Sequence, residues 1–446
     1  MNANDVREAL GRKCALVEGM DRVRLNGRVT KVVGLVMEGY SPGASVGEFC
    51  SVYPMSGPMS GRGAIQCEVV GFSDDKVVLM PLGDLRGIGP GSRIVRLAEY
   101  ASVAVGKGVL GRVIDGLGNP IDGLGPVNAE ARYPLYGAMQ NPLERRRIDE
   151  PCSVGVKAID GLITIGKGQR IGIFAGSGVG KSVLLGMMGR GAEATVNVIA
   201  LVGERGREVK EFIEKDLGPE GLKRSALVVA TSDAAPLARI KAALTAAAIA
   251  EYWRDQGADV LFMMDSISRF AAAQREVGLA AGEPPATKGY PPSVFALLPR
   301  LIERAGRTHG KGTITAFYTI LTEGNDLADP VADACRALLD GHIILSRDLA
   351  GRGHYPAIDI PASISRVMAD VVTPAQMNQA GRVRAALAVY ARAYDLISIG
   401  AYKSGSDPVV DHAIKAVERI GPYLRQEMRE TVAFEDSVQG LFSLPV

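Results

Sequence analysis

The residues between Arg170 and Gly189, RIGIFAGSGVGKSVLLGMMG, are suited by type and spacing to chemistry on a phosphate. Ala175, Gly176, Ser177, Gly178, Val179 and Gly180 make a loop with few side chains, so backbone N–H groups can converge on an anion. Ile171, Ile173 and Phe174 predict a buried strand before the loop, and Val183, Leu184, Met187 and Met188 sit at helical spacing after it. Strand, loop and helix are what a phosphate-binding P-loop requires, because the positive end of the helix dipole adds to the anion site. The predicted cradle runs from Ala175 to Val183, with Lys181 reaching a nucleotide's outer phosphates and the Ser182 hydroxyl on Mg²⁺. Ala175 stands where GxxxxGK[ST] begins with glycine, and alanine is small enough for that place. The alternative is a glycine-rich turn beside a buried strand.

Phosphoryl transfer to water asks a protein for charge neutralisation, an oriented water and a cation on the leaving side. Asp265 closes the apolar run LFMM, so its carboxylate is expected at a strand end, where it can join Ser182 in a Mg²⁺ shell. The alternative is an N-cap for a helix beginning at Ser266. Glu204, in GERGRE, also closes an apolar run, with Arg205 and Arg207 beside it. A carboxylate there either aims a water at the terminal phosphate or pairs with those arginines.

These groups need strands and helices in alternation to hold them. Buried strands are expected at Val198–Val202, Ala226–Ala230, Val260–Met264, Thr313–Ile320 and His342–Leu345. Between them fall a helix carrying Val209, Phe212 and Ile213 and an alanine-rich helix, Leu237–Gln256, capped by Gly257. This predicts an α/β fold, a mostly parallel sheet whose ligands gather at the carboxyl ends of its strands, where Gly180, Glu204 and Asp265 fall. Upstream, residues 27–97 show short β-branched runs divided by turns and predict a small β-barrel. Its aromatics, Tyr40, Phe49, Tyr53 and Phe72, are not interleaved with Lys and Arg along the strands, which speaks against single-stranded nucleic acid. Residues 98–149 read as a connector opening the nucleotide domain (98–370), with turns at Asp115-Gly116 and Asn119-Pro120 and a hairpin edge through Val109, Gly111 and Val113. Residues 371–446 predict a helical C-terminal domain, with helices at Thr373–Tyr394, Asp407–Ile420 and Pro422 to about Thr431. Residues 1–26 carry Val6, Leu10, Cys14 and Val17 at helical spacing, an amphipathic segment that either packs on the body or waits for a partner.

A length of 446 residues accommodates two or three domains, and a net charge of +2 gives no support for a dedicated nucleic-acid or membrane-surface binder. The five cysteines form no CxxC pair and read as reduced, cytosolic small hydrophobes without a zinc site. No apolar run approaches the ~18 residues of a membrane span, and the N-terminus lacks a signal-peptide core. The expectation is a soluble, intracellular protein that meets membranes only through partners.

The motifs FAGSGVGKS, LVGERGREV, LFMMDSISRFA, GHYPAID and SISRVM, in this order, resemble the catalytic subunits of rotary ATPases. GLAAGEPPATKGYPPSVFALLPRLIERAG (Gly278 to Gly306) resembles the type III export ATPases, which energise flagellar assembly and injectisome secretion, and GAYKSGSDPVVDHAI (Gly400 to Ile414) is similar to the flagellar branch. The likeness runs from Gly27 to about Glu435. It implies a barrel, a RecA-like ATPase domain and a helical domain in a homohexamer acting on ATP and Mg²⁺. It gives Lys181 and Ser182 the phosphate and Mg²⁺ roles and makes Glu204 the residue that activates water. Arg205, beside Glu204 in sequence, is placed with it in the catalytic set. Arg366 in SISRVM matches an arginine finger that reaches into a neighbour's site, the alternative being a surface arginine. Tyr355 in HYPAID matches the aromatic stacked on adenine, the alternative being a core tyrosine. The N-terminal segment corresponds to where a stator-like regulatory protein binds, and the loop Gly278–Pro292 to a channel-facing loop that meets a coiled-coil central stalk. No acidic cluster lies between Ala391 and Val446, unlike the rotary proton pumps.

The resemblance implies an ATP hydrolase that energises type III protein export, flagellar ahead of injectisome. It would act in the cytoplasm, beside export gate membrane proteins, on chaperone–substrate complexes. Nucleic acid is not expected as a partner. An RNA-dependent ring translocase and a non-catalytic nucleotide-binding ring subunit are the competing classes; the barrel counts against the first and Glu204 against the second.

Overall fold

The computed structural model describes residues 26–55, 63–137, 140–322 and 329–446. The chain divides into two compact units, 1–100 and 101–446. In the first, strands Gly27–Val33, Val36–Tyr40, Lys76–Pro81, Ile65–Ser73, Glu48–Tyr53 and Arg93–Tyr100 pair in that order and close into a barrel. Alternation turns Val29, Met37, Cys50, Cys67, Leu79 and Ile94 into its interior. Closure also sets cations against two of the aromatics: Arg93, directly opposite Tyr53, lies 4.4 Å from that ring, and Lys76 lies 6.0 Å from Tyr40. Reading along single strands misses these pairs, because the cation comes from the adjacent strand. The amphipathic N-terminal segment falls within residues 1–25, outside the described residues.

The second unit is built on a sheet in the order Ile364–Ser365, Gly341–Leu345, Arg170–Ala175, Thr313–Leu321, Asp259–Asp265, Val196–Glu204, Ser225–Thr231 and Val113–Asp115. All neighbours along this path are parallel except the edge pair Gly341–Leu345 and Ile364–Ser365. Unbroken burial along the inner strands follows from coverage by helices. Val113–Asp115 forms the expected hairpin edge through an antiparallel bridge from Ile114 to Pro120, and its other edge pairs in parallel with Leu227–Val229 and extends the main sheet. The turns around it form as expected, with Asp115 Oδ1 accepting from the N–H groups of Leu117 and Asn119.

The segment after Glu204 also differs from the single expected helix. It runs as an α-helix over Gly206–Glu211, a π-helical turn over Phe212–Leu217 and an α-helix over Gly218–Lys223. The π-turn packs on the P-loop helix, Lys181–Gly191, where Gly186 and Gly189 admit Asp216 and Leu217. At the C-terminus, helices span Pro374–Ser398 and Pro408–Leu424, and Pro422 lies inside the second instead of starting a third. Pro422 lacks the N–H for an i→i−4 bond, and the helix ends soon after it, at Leu424. The last helix is Phe434–Phe442, not the expected run to Thr431.

The packing of the P-loop helix yields a paired prediction. A Cβ on Gly186 would lie 2.5 Å from the Asp216 carbonyl oxygen, whereas one on Gly381, exposed in a C-terminal helix, would meet nothing within 4 Å. Gly186→Ala is expected to cost about 1–3 kcal/mol of unfolding free energy, and Gly381→Ala to add about 0.5–1 kcal/mol, both read by urea denaturation.

Candidate active site

The P-loop leaves the strand Arg170–Ala175 at Ala175, which is 1% exposed and still extended, paired with Leu321 and Leu345. A glycine conformation is not needed there, which explains why alanine serves. It is needed at Gly178 (φ 77°) and Gly180 (φ 87°), which turn the chain left-handed into the helix at Lys181. Gly176, Ser177 and Gly178 line a cleft of ≈ 1020 Å³ with Lys181, Ser182 and Glu204. Arg347 rests on Gly176, its Nε 2.8 Å from where a Cβ would stand.

Three strand ends converge on Lys181. Its ammonium donates to Asp265 Oδ1 at 2.5 Å and to Glu204 Oε1 at 3.5 Å, and the three side chains are 13%, 4% and 12% exposed. Asp265 ends its strand and is joined to Ser266 by a cis peptide. Ser266, not Asp265, caps the next helix by accepting from the Arg269 N–H. Glu204 stands just beyond a β-bulge at Val202/Glu204, with Gly203 at φ 74° and in contact with Arg269. The bulge re-aims the Glu204 side chain relative to the strand behind it. Burial pushes the Glu204 carboxyl up to about 7, the Asp265 charge adds to that shift, and the Lys181 ammonium opposes it. Burial favours a neutral Lys181, but Asp265 and Glu204 outweigh it and hold the lysine above its ordinary value.

Arg205 lies on the cleft rim, 76% exposed, paired with Glu208 at 3.2 Å rather than with Glu204. Tyr355 is half-exposed, joined to Pro356 by a cis peptide, and its ring lies 3.5 Å from where a Gly180 Cβ would be. It borders a second cavity of ≈ 500 Å³ whose other walls include Val183, Leu184, Met187 and Met428. Arg366 is not brought to these groups. It follows the edge strand Ile364–Ser365, and its N–H donates to the carbonyl of Asp340, the residue whose carboxylate grips Arg170. That level is the far end of the P-loop strand, about five residues or ~17 Å from the loop at the usual strand rise.

Two features were missed in the sequence. Thr319, fully buried, donates from its hydroxyl to Asp265 Oδ1 at 2.7 Å. In TITAFYTIL it reads as one more β-branched strand former, so no sequence signal marks it. Residues 425–430 wall the second cavity, with the Gln426 N–H donating to the Tyr355 carbonyl at 3.1 Å, a contact across 71 residues of chain.

The donor set bears on the expected cation. Among the described residues no group of three or more His, Cys, Asp or Glu side chains is placed to hold a metal ion. One hydroxyl, Ser182, and one carboxylate, Asp265, fit Mg²⁺, which keeps waters and shares its shell with phosphate oxygens instead of entering an all-protein cage. Thr319→Val keeps the side-chain shape but deletes the donor to Asp265. It is expected to cost about 2 kcal/mol of unfolding free energy, with Thr319→Ser restoring most of it, both measured by urea denaturation.

Residues 155–365 match the nucleotide-binding domain of the ATP synthase alpha/beta family, residues 29–98 its beta-barrel domain, and residues 372–443 the T3SS EscN ATPase C-terminal domain. The flagellum-specific ATP synthase of Bacillus subtilis is 51% identical over 434 residues, 96% of this chain and 97% of that protein. The type 3 secretion system ATPase of Xanthomonas euvesicatoria is 48% identical over 94% of each. The assembled ATPase EscN from the type III secretion system of enteropathogenic E. coli superposes with a TM-score of 0.85 at 43% identity, over 93% of this chain and 99% of that one. The same ATPase in complex with its central stalk EscO gives a TM-score of 0.84 at 44% identity, over 93% and 99%. With barrel, P-loop sheet and C-terminal helices all matched along nearly the whole chain, the protein belongs to the ATP synthase alpha/beta family, among the type III export ATPases.

Proposed function

We propose that this chain hydrolyses MgATP at seams between identical protomers of a ring and so energises flagellar protein export. The observation that carries the reading is the convergence of Lys181, Asp265 and Glu204 at the carboxyl ends of three strands beside the P-loop. When ATP enters, Lys181 exchanges its carboxylate partners for phosphate oxygens, while the loop amides and the helix terminus take the remaining charge. Ser182 and Asp265 would hold Mg²⁺, which would supply charge neutralisation on the polyphosphate. Glu204, freed from the ammonium, accepts a hydrogen bond from water and aims it at the γ-phosphate. Tyr355 and the apolar walls beside it receive the adenine. Arg205 stands over the cleft mouth, where it steers the charged nucleotide inward.

Arg366 is the finger. At the far end of its own sheet it cannot serve its own P-loop, so its guanidinium is available to a neighbour's γ-phosphate, and catalysis becomes conditional on assembly. Flagellum-specific ATP synthases at 51% identity in Bacillus subtilis and 52% in Pseudomonas aeruginosa support the flagellar assignment. The EscN structure with its central stalk supports a ring around a stalk protein. We assign the N-terminal segment to a stator-like regulatory partner and the whole to the cytoplasmic side of an export gate, meeting chaperone–substrate complexes. No helix among the described residues is long and apolar enough to cross a membrane.

Glu204→Gln tests the assignment. ATP binding should persist while turnover falls by ~10²-fold or more, and near-normal turnover removes Glu204 from the role. Because the raised carboxyl must be ionised to accept from water, kcat/KM is expected to climb with pH through about 7 and to level off above it. A flat profile from pH 6 to 8 contradicts the proposed base.

A further inference from the structure

Gln169 precedes the P-loop strand and is fully buried, an expensive place for an amide unless every polar atom is satisfied. It is satisfied. Nε2 donates to the Asp340 carbonyl at 3.0 Å and to Ser365 Oγ at 3.1 Å, and Oε1 accepts from the Gly166 N–H at 2.9 Å and faces the Ser365 hydroxyl at 3.3 Å. The Asp340 carbonyl that receives Nε2 also receives the Arg366 N–H, at 3.0 Å. The Asp340 carboxylate is gripped by the next residue, Arg170, through its N–H, Nε and Nη2 at 3.1, 2.9 and 3.1 Å. Gln169 and Arg170 therefore hold Asp340 from both ends, and Gln169 holds Ser365, the residue immediately before Arg366.

We infer that Gln169 is a positioning residue for Arg366, fixing where one protomer presents its guanidinium to the next. The inference rests on the trans role proposed for Arg366 and deepens it. An amide spent wholly on stabilising the sheet needs no partner in the Arg366 segment, yet three of these four contacts go to Asp340 and Ser365. The Arg366 side chain itself is exposed and, among the described residues, its Nη2 donates to the Arg336 carbonyl at 3.3 Å, so its aim depends on the backbone beneath it. Arg336 in turn stands over the Phe174 ring at 5.1 Å, a second tie to the P-loop strand. A displacement of about 1 Å at such a group costs on the order of 10²-fold in rate.

The test separates a defect in the finger from one in the cradle. Gln169→Leu in the full-length protein should leave the affinity for a fluorescent ATP analogue unchanged and lower the assembled ATPase rate by ~10- to 100-fold. Rings mixed with Lys181→Ala should regain activity. In a head-to-tail ring, about a quarter of the seams of an equal random mixture join an intact Gln169→Leu cradle to an intact Lys181→Ala finger. Gln169→Leu mixed with Arg366→Ala should regain nothing. If Gln169 only stabilises its own domain, nucleotide affinity falls and Lys181→Ala restores no activity, which overturns the inference. Arg366→Ala mixed with Lys181→Ala is the control. Recovery there without recovery for Gln169→Leu refutes the positioning role alone, and no recovery in rings shown to be mixed refutes the trans reading and this inference with it. Ser365→Ala, which removes one hydroxyl, decides the matter if Gln169→Leu does not fold: a smaller loss rescued by Lys181→Ala supports the role, and a loss that is not rescued overturns it.

Discussion

A buried ammonium between two carboxylates is the interaction on which the rest of this site depends. Asp265 and Glu204 arrive on adjacent strands and would repel each other at the mouth of a low-dielectric cleft if nothing stood between them. Lys181 holds them together, and removing one member of such a buried cluster typically costs about 3–5 kcal/mol because its partners are left uncompensated. The arrangement is therefore stable without nucleotide and also primed for it. In the proposed mechanism a polyphosphate replaces the carboxylates around Lys181, so that binding and the release of Glu204 are one event.

The sheet separates this local chemistry from Arg366. Its parallel strands place the cradle, Asp265 and Glu204 at one end, and the antiparallel edge strand Ile364–Ser365 delivers Arg366 to the other. One stiff strand, Arg170–Ala175, has the loop at its carboxyl end and the Gln169–Asp340–Ser365 network at its base. The cradle and Arg366 of one protomer are thereby held apart at opposite ends of one sheet. Under the proposed trans role of Arg366, a site is completed by a second copy.

Much of this was legible in the sequence because it depends on short-range pattern. The P-loop announces itself by glycines between a strand and a helix, and Glu204 and Asp265 by the apolar runs that they end. What escaped depends on partners distant in sequence. Three residues, Val113–Asp115, become a sheet strand only because Leu227–Val229 offers them a ladder. The π-turn at Phe212–Leu217 fits because Gly186 lets the Asp216 carbonyl approach, and neither segment signals the other. Thr319 and Gln169 are single polar residues in buried surroundings, where a period of two cannot separate a hydrogen-bonded support from an ordinary strand residue. Pro422 reads as the start of a new helix, yet the existing helix carries through it to Leu424, a continuation set by packing that the local signal does not show.

The claim at the centre of this account is that hydrolysis requires two protomers. The most direct measurement is the ATPase rate per protomer over a range of protein concentration, with the mass of the species followed in parallel by light scattering. The account predicts a rate near zero while the protein is monomeric and a steep rise as rings form. A full, concentration-independent rate from particles with the mass of one chain would contradict it.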